Sequence, residues 1–482
     1  MLSAPFARAG AEAADTALGG VSIAGASLGD GVLRDDAWFA ALRAREFGRL
    51  DRSGEAYLDY TGSALYAESH VRGHLELLAG SVLGNPHSQS IASLRSTEII
   101  EDARRLTLAF FSADPGDYEV VFTANASGAI RLVAEAFRFQ AGSRLVLAAD
   151  NHNSVNGIRE LARARGADVV YAQLDDELRL QGMDRSLTRA NAPSLFAFPA
   201  QSNFSGVQHP LGLIDAAQRA GYAVLLDAAA FVPTNALRLD AVRPEFVALS
   251  FYKMFGYPTG IGALIARRDA LAALVRPWFA GGTVEFVSTQ HRMHMLKTGA
   301  EAFEDGTPNF ASIAAVPAGL ELLGEIGLAN VKRRVGQLTV HLLAELASLR
   351  HPDGHAMTRV YGPTNNHARG GTVAFNVLDR FGRAVPYQQV ERVALERGVS
   401  IRGGCFCNPG AAERAFGFPA AEAAACMERA RREGFSVEKF GECLGGSVAV
   451  GAVRASVGIA TNEADVARLI ECVRAMRTGS DS

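Results

Sequence analysis

A surplus of charge of either sign is missing from this chain of 482 residues. Its 48 lysines and arginines stand against 51 aspartates and glutamates, a formal net charge of -3. Composition therefore gives no electrostatic reason to expect nucleic acid or an anionic membrane as a partner. Long hydrophobic runs are absent too. No uninterrupted apolar segment approaches the roughly 18 residues that suggest a membrane span, and the longest candidate, around Tyr222 to Val232, is broken by Asp227. The N-terminus has no compact apolar region of the kind a secretion signal needs, and Glu12 and Asp15 argue against a transit peptide, so the cytoplasm is the expected location. Cysteine is scarce at five residues, and an odd number in a long chain does not describe a disulfide framework. Zinc is poorly supported as well, because no second Cys or Cys/His pair with ligand spacing occurs, and no metal is expected.

What remains is an ordinary globular composition, 48% hydrophobic and 21% charged, in a chain longer than one hydrophobic core normally supports. Two domains are expected. Residues 1–35 mix Ala, Gly and Ser without periodicity and read as an N-terminal arm; 36–350 form a large domain, whose first part is free to pack with the second; 351–482 form a smaller one. The pattern turns helical from Asp36 to Phe47. Tyr57, Leu58 and Asp59 then begin a short strand entering a turn, Gly84 to Gln89 is a polar loop, and Ser90 to Ser112 is an amphipathic helix.

Strand-like runs follow at Tyr118–Phe122, Arg144–Ala149, Asp168–Ala172, Ser194–Pro199, Ala223–Asp227, Phe246–Ser250 and Gly262–Ala266, with helical runs between most of them. This alternation predicts an α/β fold with a mainly parallel, doubly wound sheet and ligands beyond the carboxyl ends of its strands. A long helical pattern from Ile313 to Leu349 leads out of the large domain. Strands at Gly371–Leu378, Val399–Arg402 and Ser447–Val457, with helices at Tyr387–Arg397 and Glu463–Arg477, describe a smaller C-terminal α/β domain.

The chain is organised around Lys253, which follows the apolar run Val247–Ser250 and precedes the glycine-rich turn Gly256–Gly262. An ammonium carried into apolar surroundings must be paired, neutralised or used chemically. It either snorkels to water from the strand end or, with a depressed pKa, forms a Schiff base with pyridoxal phosphate (PLP), with the Ser250 and Tyr252 hydroxyls near a phosphate. Asp227, at another strand end, suits a pyridine nitrogen or, alternatively, a helix cap. One further strand separates it from Lys253, so both reach one crevice.

Ala126, Ser127 and Gly128 open a helix whose free N–H groups suit an anion. His152 follows a strand, where an imidazole can stack on a planar cofactor and move protons or be a plain surface residue. Asn203 either hydrogen-bonds a ring oxygen or serves a turn. Arg454 is an arginine in an otherwise apolar strand, which calls for an anionic partner such as an amino acid carboxylate. Cys405 and Cys407 lie in the glycine-rich stretch Arg402–Gly410 as exposed thiols, whereas Cys426, Cys443 and Cys472 fall where small core residues are the ordinary expectation.

In their order and spacing these motifs resemble the class V aminotransferase and cysteine desulfurase group of fold-type I PLP enzymes. The resemblance is nearest to the N-terminal desulfurase domain of molybdenum cofactor sulfurases. It is carried by Tyr57 to Asp59, Asn85 to Gln89, Leu226 to Ala229, Ser250 to Gly260, Gly306 to Asn309 and Gly404 to Gly410. The resemblance implies a fold-type I PLP-dependent transferase that removes sulfur from L-cysteine or a similar amino acid, leaving L-alanine and a cysteine persulfide for an acceptor protein or cofactor. It further implies that Lys253 binds PLP, Asp227 pairs with the pyridine nitrogen, His152 stacks on the ring and Asn203 lies near the ring hydroxyl. Ala126, Ser127, Ser250 and Tyr252 would surround the phosphate, Thr307 would reach the partner's phosphate across a homodimer interface, Arg454 would bind the substrate carboxylate, and Cys407 would take the sulfur.

Two features depart from the pattern. Ala230 stands where many cysteine desulfurases have a glutamine, and the sequence closes at Ser482 without the C-terminal cofactor-binding domain of a eukaryotic molybdenum cofactor sulfurase. Alternative expectations are a PLP carbon–sulfur lyase or aminotransferase acting on another amino acid, and a non-catalytic binding protein with a relic site.

Overall fold

The computed structural model describes residues 32–445 and 449–478, so the expected N-terminal arm lies almost wholly outside the described residues. The first described helix is Asp36–Glu46, capped by Asp35, whose carboxylate accepts from the Trp38 amide at 2.9 Å. A two-residue strand, β1 (Ala56–Tyr57), follows.

Seven strands then build the large domain: β2 (Tyr118–Thr123), β3 (Arg144–Ala148), β4 (Asp168–Ala172), β5 (Ser194–Pro199), β6 (Tyr222–Asp227), β7 (Phe246–Ser250) and β8 (Gly262–Arg267). Their order is β2-β8-β7-β6-β5-β3-β4, parallel from β7 to β4, with β8 antiparallel to both neighbours. Chain length explains the reversal. Only the helix Phe251–Phe255 and a short turn join β7 to β8, too little for a parallel crossover. Because β2 and β7 both oppose β8, the carboxyl ends of β2, β3, β5, β6 and β7 share one edge. Helices cover both faces, and two apolar clusters fill them, one around Phe196, Phe198 and Phe251, the other around Leu147, Ala197 and Leu264. Burial on both sides is why these strands read as continuous apolar runs rather than alternating ones.

A hairpin of β9 (Val284–Ser288) and β10 (Met293–Leu296) projects from this domain. Periodicity gave no sign of it, because its faces stay in solvent. The single helical pattern expected from Ile313 to Leu349 is instead three helices, Phe310–Ile313, Val316–Ile326 and Leu328–Ser348. The last two meet at a 70° bend, where Gly327 adopts φ 80°, a left-handed conformation that favours glycine.

The second core joins Leu338 and Leu342 of the helix Leu328–Ser348 to Phe39 and Leu58 from the start of the chain and to Phe375, Val453 and Leu469. The helix Leu328–Ser348, placed in the large domain by a boundary near residue 350, therefore packs into this second core. Its sheet comprises β11 (Thr358–Tyr361), β12 (Thr372–Val377), β14 (Arg402–Gly404) and β15 (Ala452–Ser456), antiparallel in the order β11-β12-β15-β14, while β13 (Val399–Ser400) pairs with β1. The strand expected from Ser447 starts at Ala452, and residues 446–448 lie outside the described residues.

One expectation is overturned here. The cysteines do include a disulfide: Cys426, buried as expected of a core residue, is bonded to Cys443 between the helices Ala420–Glu433 and Val437–Cys443, with Cα atoms 5.8 Å apart. These two short helices have few buried residues between them, Cys426 being the one in the longer helix. A cross-link closing a loop of this size offsets chain entropy of about 3 kcal/mol. Cys472 is buried with a free thiol, as expected.

Candidate active site

The shared carboxyl edge of the large sheet opens into a cavity of about 290 Å³ lined by Ala126, Ser127, His152, Asn203, Asp227, Ser250, Tyr252 and Lys253. Eight of the residues singled out in the sequence therefore face one space. At one end, the helix Ala126–Ala136 begins with Asn125 as its cap, the Asn125 side-chain oxygen accepting from the Gly128 amide at 3.0 Å. Ser250 Oγ accepts from the Ala126 amide at 2.8 Å, and the Ser127 and Ser154 hydroxyls lie 2.5 Å apart. Gly262 makes this approach possible. A Cβ there would sit 2.6 Å from both Asn125 and the Leu249 carbonyl. The start of a helix, with the hydroxyls of Ser127, Ser154 and Ser250 gathered at it, suits a phosphate.

Lys253 is on the helix Phe251–Phe255 directly after β7, so its amine enters the cavity from the floor. Burial lowers its pKa foremost, with the Asp227 carboxylate opposing and Arg454 and Arg402 adding to the depression. Asp227, the last residue of β6, is held by the Ala229 amide, which donates to its Oδ1 at 3.0 Å. A desolvated amine, a fixed carboxylate and a helix start at three points of one cavity fit PLP through its aldehyde, ring nitrogen and phosphate.

His152 caps a short helix, and its Nδ1 accepts from the Ser154 amide at 3.1 Å. The neutral ring therefore carries its proton on Nε2. Burial lowers the His152 pKa, Asp227 opposing and Lys253 and Arg454 assisting, so the neutral form prevails at pH 7. Sequence reasoning missed Gln201. Buried in the same wall, it donates through Nε2 to the Ala230 carbonyl at 2.9 Å, bringing an amide to the side of the cavity where Ala230 has none. Its position just past β5 was the available signal.

Arg454 does not line the cavity but stands behind Asn203, donating to its backbone oxygen at 3.0 Å. It is 3% exposed, and the anionic partner its burial demands is present within the chain. Its Nη2 donates to Asp59 Oδ1 at 2.9 Å, while Arg402 grips Asp59 Oδ2 through Nε and Nη2 at 3.0 and 2.6 Å. The expectation that a substrate carboxylate alone accounts for this arginine is corrected accordingly. Two guanidiniums share one carboxylate, however, which leaves a net positive charge beside the cavity, and Arg454 Nε has no hydrogen-bond partner among the described residues. Burial lowers the Arg454 pKa, with Asp59 opposing.

The stretch from Gly404 to Asn408 links β14 to the helix Pro409–Phe416 and lies against the large domain. Gly410 permits the contact, since a Cβ there would strike the Ala149 carbonyl oxygen. Phe406 and Cys407 both adopt left-handed backbone, φ 55° and 56°, at a cost on the order of 1 kcal/mol each for residues with a side chain. The two thiols differ. Cys407 is exposed, whereas Cys405 is half-buried, donates to the Val450 carbonyl at 3.2 Å, and has its pKa pushed up to about 11 by burial, then by Cys407 and Glu413. Thr307 lies apart, in a neighbouring cavity of about 350 Å³ with Arg276, Trp278 and Asn309, and accepts from Asn85 Nδ2 at 3.1 Å.

A lysine and an aspartate at adjacent strand ends of a doubly wound sheet, with a smaller domain beside them, define the fold-type I architecture of PLP-dependent transferases. The aminotransferase class-V family model matches residues 56–469, and the chain belongs to that family. It is 37% identical over 400 residues to a molybdenum cofactor sulfurase of Bos taurus, covering 78% of this chain and 45% of the relative. It is likewise 37% identical over 453 residues to one of Anopheles gambiae, covering 89% and 57%. The chain thus spans about half the length of the curated relatives it matches. Among solved structures, a cysteine desulfurase from Thermococcus onnurineus NA1 superposes with a TM-score of 0.75 at 24% identity, covering 91% of this chain and 98% of that one. A cysteine desulfurase of Escherichia coli gives 0.69, also at 24% identity with the same coverage. Both establish the shared fold.

Proposed function

We propose that this protein is a PLP-dependent sulfurtransferase that takes sulfur from L-cysteine, releasing L-alanine and leaving a persulfide on Cys407 for an acceptor. The observation that carries it is the convergence of the Lys253 amine and the Asp227 carboxylate on one cavity, with the exposed Cys407 on a loop docked against that cavity's wall. When bound, PLP supplies an electron sink for negative charge arising on the substrate. Asp227 would pair with its pyridine nitrogen, and the start of the helix Ala126–Ala136 with Ser127, Ser250 and Tyr252 would hold its phosphate.

Lys253, whose burial disfavours the charged form of its amine, moves the proton at the substrate's Cα. His152 holds a transferable proton on Nε2. Arg454, aimed by Asp59 and the Asn203 backbone, binds the substrate carboxylate. The Cys407 thiolate attacks the substrate sulfur: the S–S bond forms, the Cβ–S bond breaks with its electron pair left on carbon, and the proton lost from Cys407 is balanced by one gained at the new methyl group. Cys405 is unsuited to that attack because its buried thiol resists ionisation.

The relatives' name suggests molybdenum cofactor as the acceptor, and an exposed thiol is compatible with delivery to a protein or a cofactor. We also propose a homodimer. The stretch holding Trp278, Phe279, Phe286, Met293 and Met295 exposes its apolar side chains, beside the cavity that contains Thr307, and light scattering should return twice the chain mass. The central test is alanine release from L-cysteine. Cys407→Ala should abolish it while leaving the cofactor's visible absorbance intact. Continued release of alanine or pyruvate by that variant would favour a carbon–sulfur lyase.

A further inference from the structure

Cys407 sits on a loop of the smaller domain, yet the bonds that hold the loop end on the wall of the large-domain cavity. The Asn153 amide donates to the Cys407 carbonyl at 2.7 Å. Asn203 Nδ2 donates to the Phe406 carbonyl, also at 2.7 Å. Asn408 Nδ2 donates to the Asp150 carbonyl at 2.6 Å and to Asn203 Oδ1 at 2.9 Å. The receiving residues are not scattered. Asp150 and Asn153 flank His152, and Asn203 lines the cavity itself.

We propose that Asn408 is a positioning residue that latches the Cys407 loop against the cavity wall, with Asn203 as its partner. This rests on the assignment of Cys407 as the sulfur acceptor. Asn408 is fully buried, and both ends of its amide are used. Its oxygen caps the helix Pro409–Phe416 by accepting from the Ala411 amide at 3.2 Å, while its nitrogen reaches across to the large domain. Only a side chain carrying both an acceptor and a two-proton donor at this length can do both. Two consecutive residues in left-handed backbone, Phe406 and Cys407, lie immediately before it. Such a conformation persists only where surrounding bonds enforce it, and here those bonds cross between domains.

The latch is also tied to the carboxylate site. Arg454 donates to the Asn203 backbone, and its guanidinium lies 4.9 Å from the centre of the Phe406 ring, which packs 5.4 Å from that of Phe204. The loop is therefore held against the cavity wall for attack on the substrate sulfur with the Cys407 thiol exposed, and it must break these bonds to move away from that wall. Asparagine is suited to a catch that is fully satisfied when closed and exchanges its partners for water when open.

The test removes the cross-domain donor while keeping the helix cap. Aspartate and serine both cap helices well, so Asn408→Asp and Asn408→Ser should fold, and either suffices if the other does not. Losing two buried hydrogen bonds should raise the open population roughly 10- to 100-fold. Hydrogen exchange of the holoenzyme should accelerate by that factor at the Asn153 amide, which the Cys407 carbonyl protects, and stay unchanged in the helix Leu328–Ser348. The kcat for alanine release should fall similarly, with KM for cysteine within about two-fold. Adding Asn203→Ala should give little further acceleration of exchange, because the two side chains form one catch. Unchanged exchange at Asn153 would overturn the latch whatever the reaction proves to be. Faster exchange with undiminished alanine release would overturn its role in positioning Cys407. Failure of the functional assignment is read separately, by whether Cys407→Ala still releases alanine.

Discussion

Asp59 is the residue whose removal tests the electrostatic description of the site most directly. Its side chain is 11% exposed, that of Arg454 is 3% exposed, and they meet at 2.9 Å. Breaking a buried pair from one side typically costs 3–5 kcal/mol, because the remaining charge is left without compensation. Asp59→Asn keeps the volume and one acceptor oxygen, so its cost should lie near the lower end, about 3 kcal/mol. Arg402 contributes little to that figure. Its side chain is 51% exposed, and a pair open to solvent is worth about 0–1 kcal/mol. In an Arg454→Ala background the buried cation is gone, and Asp59→Asn should then cost only this Arg402 share. Urea unfolding of the four proteins at neutral pH would give the coupling, expected at about 2 kcal/mol or more. Additivity within about 0.5 kcal/mol would refute Asp59 as the counter-ion of Arg454, and with it the explanation of why an arginine is tolerated in an apolar strand.

Two further outcomes follow from the titrating groups. Because burial lowers the Lys253 pKa from 10.5, the unfolded chain of the cofactor-free protein binds more protons between that depressed value and 10.5; its stability should rise with pH across this window, and Lys253→Met should remove the rise. With its thiol pKa raised from 9.0 to about 11, Cys405 should be alkylated by iodoacetamide about 100-fold more slowly at pH 8 than an ordinary thiol, as peptide mass analysis would record; equal labelling of Cys405 and Cys407 would refute its burial.

The fold of the large domain was legible because each strand of its sheet is buried on both faces and therefore stands out as an apolar run between helices. β2 to β8 all lie where the sequence placed them. What was not legible has a common cause. The hairpin β9–β10 and the helices Ala420–Glu433 and Val437–Cys443 bury little of themselves, so periodicity had no core to report. The disulfide was hidden for a related reason. Cysteine is itself a common core residue, and nothing in a spacing of 17 says that two short helices will bring Cys426 and Cys443 together. The bend at Gly327 was missed because apolar periodicity runs on through it while the backbone does not.

The site divides along the same line between local and long-range information. Lys253, Asp227, His152 and Asn203 could be found from strand ends alone, because the fold delivers every such end to one edge. Asp59 could not. It reaches Arg454 only because the segment after β1 forms a parallel bridge from Asp59 to Ser456, a pairing between the two extremes of the chain. Once it is in place, the charges near the cavity can be counted together: Lys253, Arg454 and Arg402 against Asp227 and Asp59. With Lys253 charged the five groups carry one excess positive charge, and with Lys253 neutral they balance. Burial and the two arginines all press toward the neutral amine, so the depression of the Lys253 pKa and that of Arg454 have one origin, a desolvated cluster short of negative charge. An amino acid carboxylate and a phosphate are the charges that such a cluster can accept, and accepting them leaves the Lys253 amine free to take up a proton.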